Sequence, residues 1–155
     1  MRSPIEPATA RYSAIEIGAR FVRRVTFDAD SIRAFAELCG DHNPLHHDDA
    51  LAAAGPFGTL IASGPHVTAL MMGLDATFFT RDHEALGLGF EFRFVRAVPA
   101  GVTLTLEWAV ASVEPKASLE GDIVVVDGRA IDDEGNVYVS GRGSNLVRAP
   151  IRGGL

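Results

Sequence analysis

A long apolar helix followed by a run of strands dominates the sequence. Residues 64–79 read GPHVTALMMGLDATFF and form the longest helical candidate. Ser63 is a good N-cap for this helix, and Pro65 suits its first turn. Because apolar residues lie nearly all round the helix, we expect it to be buried. A buried helix needs a large surface to cover it, and the segments that follow can supply one.

Alternation of apolar and polar residues predicts the strands of that surface. Phe90, Phe92 and Phe94 alternate with polar residues, which is typical of a half-buried strand. A first strand is predicted at 17–28, and the later strands at 86–98, 102–113, 123–131 and 137–147. Glycines in the later strands indicate bulges or close approach by another backbone, and they are Gly128, Gly141 and Gly143. This order, without βαβ alternation or internal repeats, predicts an α+β fold.

A shorter amphipathic helix is predicted after the first strand. Asp30 or Ser31 caps it, and Gly40 occupies the usual stop position. Its apolar face consists of Ile32, Phe35, Ala36 and Cys39. On this face the cysteine is expected to be a small buried thiol rather than a nucleophile.

Length and composition bound the class of protein. The 155 residues suit one domain, placed at 17–148 between an N-terminal arm at 1–16 and a C-terminal tail at 149–155. Fourteen basic and twenty acidic residues give a net charge of −6, which argues against a nucleic-acid binder. A single cysteine excludes an intramolecular disulfide and suits a reducing compartment. Without a signal-peptide segment or a stretch long enough to span a bilayer, the protein is expected to be cytoplasmic and to have no membrane partner.

Common nucleotide-binding and hydrolase motifs are absent from the sequence. Gly87 and Gly89 lack the third glycine of a dinucleotide-binding turn, and no phosphate-binding GxxxxGK[ST] run occurs. Neither Ser63 nor Ser144 lies in the G-x-S-x-G element of serine hydrolases.

Polar side chains are concentrated in the segment 40–49, GDHNPLHHDD. Pro44 has no amide donor and keeps Asn43 out of helical geometry, so a sharp loop is predicted. One interpretation of this loop is metal binding by His42 and His46. Pro44 breaks the helix that their spacing would need, and no Cys/His cluster supplies further ligands, so we expect no metal.

A second interpretation of the loop is structural. Asp41 and Asn43 can organise a turn by accepting hydrogen bonds from backbone amides. Asp48 and Asp49 can cap a short helix predicted at 48–54. The side chains that this interpretation leaves to solvent are those of His42 and His47.

A third interpretation is acid–base catalysis. Asp41 and His46 flank the rigid bend, so their side chains can converge on one water and exchange protons with it. The start of the long helix adds a second element, because a helix N-terminus offers unsatisfied amides. The Gly64 amide could bind a carbonyl oxygen that becomes enolate-like. Ser63 could be an N-cap only, or could also contact the substrate.

The segment 35–52, FAELCGDHNPLHHDDALA, resembles the hydratase motif of the MaoC-like, (R)-specific enoyl-CoA hydratases. That motif is roughly an apolar helix, a small residue, Gly-Asp-x-Asn-Pro-Leu-His and a following Asp. The matching positions are Phe35, Leu38, Gly40, Asp41, Asn43, Pro44, Leu45 and His46. A second segment, 60–72, is similar to the family's block at the start of the central helix. The resemblance extends over about residues 17–148.

The resemblance implies a hot-dog fold, in which an antiparallel sheet wraps round one long helix. It implies a homodimer with edge-to-edge sheets and acyl chains bound at the subunit interface. Asp41 and His46 would be the catalytic pair and Gly64 would supply the oxyanion amide. Asn43 would organise the loop, and the role of Ser63 is open because the family varies there.

The activity implied is reversible addition of water to a trans-2-enoyl thioester, with no metal or redox cofactor. Coenzyme A would be part of the substrate, and Arg93 and Arg96 either contact its phosphates or form the solvated face of the Phe-rich strand. An acyl carrier protein could carry the acyl group instead, which would make the chain a fatty-acid or polyketide dehydratase. A non-catalytic acyl-binding partner and a thioesterase are the remaining alternatives. The sequence leaves open the acyl length, the direction of each proton transfer, and the roles of His42 and His47.

Overall fold

A computed structural model describes residues 11–150 of the chain. Its strands are β1 (Arg20–Thr26), β2 (His83–Phe94), β3 (Thr103–Lys116), β4 (Gly121–Ile131) and β5 (Val137–Pro150). Its helices are α1 (Ala29–Cys39), α2 (Asp49–Ala54) and α3 (Gly64–Thr80). A 3₁₀ turn at Pro44–His46 interrupts the loop between α1 and α2. No helix within residues 11–150 is long and apolar enough to cross a membrane.

The five strands form one antiparallel sheet in the order β1-β3-β4-β5-β2. Consecutive strands β3, β4 and β5 pair with one another, whereas β1 and β2 lie at the two edges. The sheet packs against α3, which contacts β2 more than any other strand. The predicted α+β architecture of a long helix covered by an antiparallel sheet is confirmed.

The sheet covers only one side of α3. Val67, Met71 and Phe79 are almost completely buried against it. The opposite side of the helix, which includes Ala69 and Met72, is exposed. The expectation that α3 is buried all round is therefore wrong for one face.

Trp108 of β3 fastens the sheet to the middle of α3. Its indole Nε1 donates a hydrogen bond of 2.8 Å to the Met71 carbonyl, and 1% of the residue is exposed. A Cβ on Gly128 would lie 2.2 Å from the indole ring. The glycines at 141 and 143 are packed in the same way by the rings of Phe92 and Phe90. These strand glycines therefore leave room for aromatic rings, whereas the sequence predicted bulges or close approach by another backbone.

Two details of α1 differ from the sequence prediction. Asp28 caps the helix, since its carboxylate accepts a hydrogen bond from the Ser31 amide. The predicted caps, Asp30 and Ser31, lie inside the first turn. Cys39 is exposed and not buried, because the helix leaves the core at its last turn.

The predicted arm and tail fall partly outside the described residues, namely at 1–10 and 151–155. Within the described part of the arm, the Ser13 amide and hydroxyl both donate to the buried Asp122 carboxylate, and Ile15 is buried in the core. Strand β5 extends to Pro150, three residues beyond its predicted end.

A carboxylate is buried in the middle of α3. Asp75 is 1% exposed and accepts a 3.1 Å hydrogen bond from Asn145 Nδ2 of β5. Burial raises the pKa of Asp75 to about 6, because the charged form loses its hydration, and the Asn145 hydrogen bond opposes this only in part.

We expect Asp75→Asn to stabilise the protein more at pH 8 than at pH 4. The folded protein holds the Asp75 proton up to about pH 6, whereas the unfolded chain releases it near 3.8. The stability that Asp75 contributes to the wild type is therefore greatest at low pH, and it is lost as the pH rises from about 3.8 to about 6. The variant has no charge to bury, and its advantage should reach about 3 kcal/mol above pH 7. Urea unfolding of both proteins at pH 4, 6 and 8 measures it, and an advantage independent of pH would contradict the assignment.

Candidate active site

The loop after α1 is held in shape by its own polar groups. Gly40 adopts the left-handed conformation (φ 70°), and the Asp41 amide donates to the Ala36 carbonyl at 2.9 Å. Asp41 Oδ1 then accepts from the Asn43 amide at 3.0 Å, and Asn43 Oδ1 accepts from the Leu45 amide at 3.1 Å. Asn43 is exposed and caps the 3₁₀ turn, as its predicted structural role requires.

The two neighbouring histidines of the loop differ. His42 is exposed. His47 is half-buried, and its Nε2 donates to the Asp41 carbonyl at 2.6 Å. His47 thus fixes the backbone from which the Asp41 side chain projects, a role that the interpretation of a solvated side chain missed.

The buried ring of His46 is oriented by a backbone carbonyl. Its Nδ1 lies 2.7 Å from the Ile61 oxygen, and 5% of the residue is exposed. A carbonyl only accepts hydrogen bonds, so Nδ1 carries the proton and the neutral ring has its lone pair on Nε2. The Ile61 amide in turn donates to the Leu45 carbonyl at 3.1 Å. This pair of contacts joins the loop to the segment that leads into α3.

Asp41 and His46 face each other. Asp41 Oδ2 lies 3.4 Å from His46 Nε2, with 34% of the Asp41 side chain and 7% of the His46 side chain exposed. This separation is longer than an ordinary N–H···O bond of about 2.9 Å, so both groups are able to bind a third molecule. The structure therefore brings together the two side chains that the sequence singled out.

The start of α3 presents a backbone amide. Ser63 is 3% exposed and caps the helix by accepting from the His66 amide at 3.4 Å. Gly64 is the first helical residue, and its own amide has no acceptor within residues 11–150. A Cβ at this position would lie 2.7 Å from the ring of Phe94, so glycine allows the close packing seen here.

Ser63 and Gly64 line a cavity of about 360 Å³ between α3 and the end of β2. Most of its other walls are apolar, and Arg96 adds one positive charge. Asp41 and His46 do not line this cavity. The link between the two halves of the site is Ile61, which contacts His46 and lies two residues before Ser63.

A further buried histidine was missed by the sequence analysis. His66 stacks on Phe35 of α1 with ring centroids 4.6 Å apart, and its Nδ1 is buried without a partner in the described part of the chain. Burial lowers the pKa of His66, which favours the neutral ring. Its place within an apolar pattern concealed it. Among the described residues, no three His, Cys, Asp or Glu side chains are grouped in a way that could hold a metal ion.

Comparison with known proteins gives a consistent picture. A family model described as "MaoC like domain" matches residues 12–134. The 3-hydroxyacyl-thioester dehydratase Z of Mycobacterium tuberculosis (strain ATCC 25618 / H37Rv) is 29% identical over 127 residues, which are 80% of this chain and 83% of that protein. The (R)-specific enoyl-CoA hydratase of Aeromonas caviae is 30% identical over 127 residues, covering 76% and 94%. A solved structure of an (R)-hydratase from A. caviae involved in PHA biosynthesis superimposes with a TM-score of 0.76, at 27% identity, covering 88% and 98%.

Proposed function

This chain belongs to the MaoC-like domain family of hot-dog hydratases and dehydratases, and from that premise we propose that it is an (R)-specific enoyl-CoA hydratase. The reaction proposed is reversible addition of water to a trans-2-enoyl thioester, which gives an (R)-3-hydroxyacyl thioester. No metal or redox cofactor takes part in the proposed reaction. The observation that carries the proposal is the Asp41–His46 pair, held 3.4 Å apart in a loop that a contact with Ile61 joins to the segment leading into α3.

Asp41 and His46 are proposed to hold the reacting water between them. The lone pair on His46 Nε2 accepts one proton of the water, since Nδ1 is committed to Ile61. The remaining hydroxide oxygen forms a bond to Cβ of the enoyl group. The pair then returns a proton to Cα, so that one complete water has been added across the double bond.

The substrate carbonyl is proposed to lie against the Gly64 amide. Charge builds on that oxygen as the nucleophile attacks Cβ, and a backbone N–H at a helix N-terminus stabilises it. The free Gly64 amide and the cavity beside it support this position. Arg96 lines the same cavity and adds a positive charge near the proposed position of the carbonyl.

The test is to mix the purified full chain with crotonyl-CoA and to measure the loss of the enoyl thioester absorbance. We expect hydration, with an (R)-3-hydroxy product identified by chiral chromatography. Activity with enoyl groups on acyl carrier protein but not on coenzyme A would favour the dehydratase alternative. A well-folded protein that hydrates neither, at any acyl length, would instead favour a non-catalytic partner.

We also propose that two copies of the chain join through β2. This strand is 12 residues long and lies at an edge of the sheet, with its hydrogen-bonding groups open on one side. It exposes Leu86, Leu88 and Phe94, each by more than half. An exposed apolar edge of this length is typical of a protein interface.

Leu88→Lys is expected to weaken this dimer by at least about tenfold in Kd, because a charge would have to be desolvated at the joined edges. The matched control is Val22→Lys, which places the same charge on the opposite edge strand, where Val22 is 59% exposed. Light scattering over a range of protein concentrations gives the mass. An equal effect of both variants, or a wild type that is monomeric throughout, would be inconsistent with pairing through β2.

A further inference from the structure

Two polar side chains outside the candidate active site are buried beside each other and line a cavity. Asp75 and Asn145 are 1% and 2% exposed and share one hydrogen bond, from Asn145 Nδ2 to Asp75 Oδ1. Neither residue has a fully buried side-chain atom without a partner in the described part of the chain, so the polar atoms that this bond leaves over are accessible from a cavity that both residues line. A group that fills the cavity would cut these atoms off from water, so it would have to supply hydrogen bonds to them.

The pair lies at the wall of a second cavity, of about 340 Å³, between α3, β2 and β5. The rest of the lining is mainly apolar, with Met72, Ala76, Ala85 and Phe90 among its residues. A water molecule occupies only about 30 Å³, so the cavity has room for a much larger group. An apolar cavity with a few convergent polar atoms is the usual form of a small-molecule site.

This second cavity and the one at Gly64 lie along the same groove. The Gly64 cavity is lined by Pro65 of α3 and Phe94 of β2, and the second by Met72 of α3 and Phe90 of β2. Residues seven positions apart lie on the same face of a helix, so Pro65 and Met72 face the same way. Between them Ala69 has a small, exposed side chain. At 1.5 Å per residue, Asp75 lies about 16 Å along the helix from Gly64.

We propose that an acyl chain runs along this groove and that Asp75 and Asn145 bind a hydroxyl group near its far end. The inference rests on the proposed function, since it places the thioester carbonyl at Gly64. A hydroxyl donates to Asp75 Oδ2 or Asn145 Oδ1 and accepts from the second Asn145 Nδ2 hydrogen. A fully apolar chain would leave these buried acceptors unpaired. The substrate class is therefore a long 2-enoyl thioester that carries a distal hydroxyl.

The experiment compares kcat/KM for two matched pairs of substrates. These are 2-dodecenoyl-CoA and 2-tetradecenoyl-CoA, each with and without a terminal hydroxyl. We expect the wild type to prefer the hydroxylated member of at least one pair by about tenfold or more, because sites built to bind a hydroxyl reject analogues that lack it. Asn145→Leu and Asp75→Leu should bring the ratio close to one. Asp75→Asn should retain most of it, because its amide oxygen can accept from Asn145 Nδ2 and its amide nitrogen can donate to the hydroxyl.

The controls separate this inference from the proposed function. Crotonyl-CoA is too short to reach Asp75, so its hydration should stay within about twofold of wild type in every variant. Thr80→Val removes another polar group from the same cavity, but its hydroxyl already donates to the Ala76 carbonyl, so the ratio should not change. If crotonyl-CoA is hydrated and the wild type shows no preference for a hydroxyl, the inference is overturned and the proposed function stands. If no enoyl-CoA is hydrated, both fail.

Discussion

Asp41→Asn and His46→Gln are each expected to lower kcat for hydration of crotonyl-CoA by about 10²- to 10⁴-fold, the usual contribution of a positioned acid or base. Asn at position 41 keeps an oxygen for the Asn43 amide, so the loop should retain its shape while the carboxylate is lost. Gln at position 46 can donate to the Ile61 carbonyl but exchanges no proton near neutral pH. KM should change little, because neither side chain lines the cavity proposed for the acyl group.

The double variant provides a sharper result. Two groups that act on the same water work as a unit, so their separate losses do not add. We expect Asp41→Asn/His46→Gln to be within about tenfold of the slower single variant. A double variant whose loss equals the product of the two single losses would mean that Asp41 and His46 act at independent steps.

His42→Ala is the matched control for His46. His42 lies in the same loop, four residues earlier, and is exposed. Its loss should change kcat by less than about twofold. His47→Ala should be intermediate, since His47 holds the Asp41 carbonyl and acts on the site only through the position of Asp41. Full activity in both Asp41→Asn and His46→Gln, measured on protein with wild-type thermal stability, would remove the pair from the mechanism.

Local signals in the sequence were sufficient to predict the main helices and strands and the contact between Asp41 and His46. A capping serine followed by a proline defined the start of α3, and period-2 alternation located the strands. The loop was recognisable because Pro44 forces a bend between two side chains able to exchange protons. The catalytic roles of those side chains remain predictions.

Contacts between residues that are distant in the sequence could not be predicted from it. The bond from His46 to Ile61 joins residues 15 apart, and the bond from Asn145 to Asp75 joins residues 70 apart. Each depends on the order of strands in the sheet, which no local pattern specifies. The cap of α1 was predicted wrongly for a different reason. Asp28, Asp30 and Ser31 are all good capping residues, and the path of the chain from β1 into the helix determines which of them is the cap.

Gly128 is the position where a single methyl group should destabilise the fold most. Its Cβ would lie 2.2 Å from Trp108, whose ring is almost completely buried and tied to the Met71 carbonyl. Because the ring cannot move without breaking that hydrogen bond, we expect Gly128→Ala to cost about 3 kcal/mol of unfolding free energy. Gly89→Ala is the control, since a Cβ there meets nothing within 4 Å.

A second substitution tests whether Trp108 is the cause. Trp108→Phe alone should be destabilising, because it leaves a void and an unpaired Met71 carbonyl. In the Gly128→Ala background the smaller ring makes room for the new methyl group, so the double variant should be more stable than the sum of the two losses predicts. Urea unfolding at one fixed protein concentration measures all four proteins, since any dimer would make stability depend on concentration. Strictly additive losses would show that the indole is not what excludes a side chain from position 128. The sheet would then be attached to α3 by other contacts.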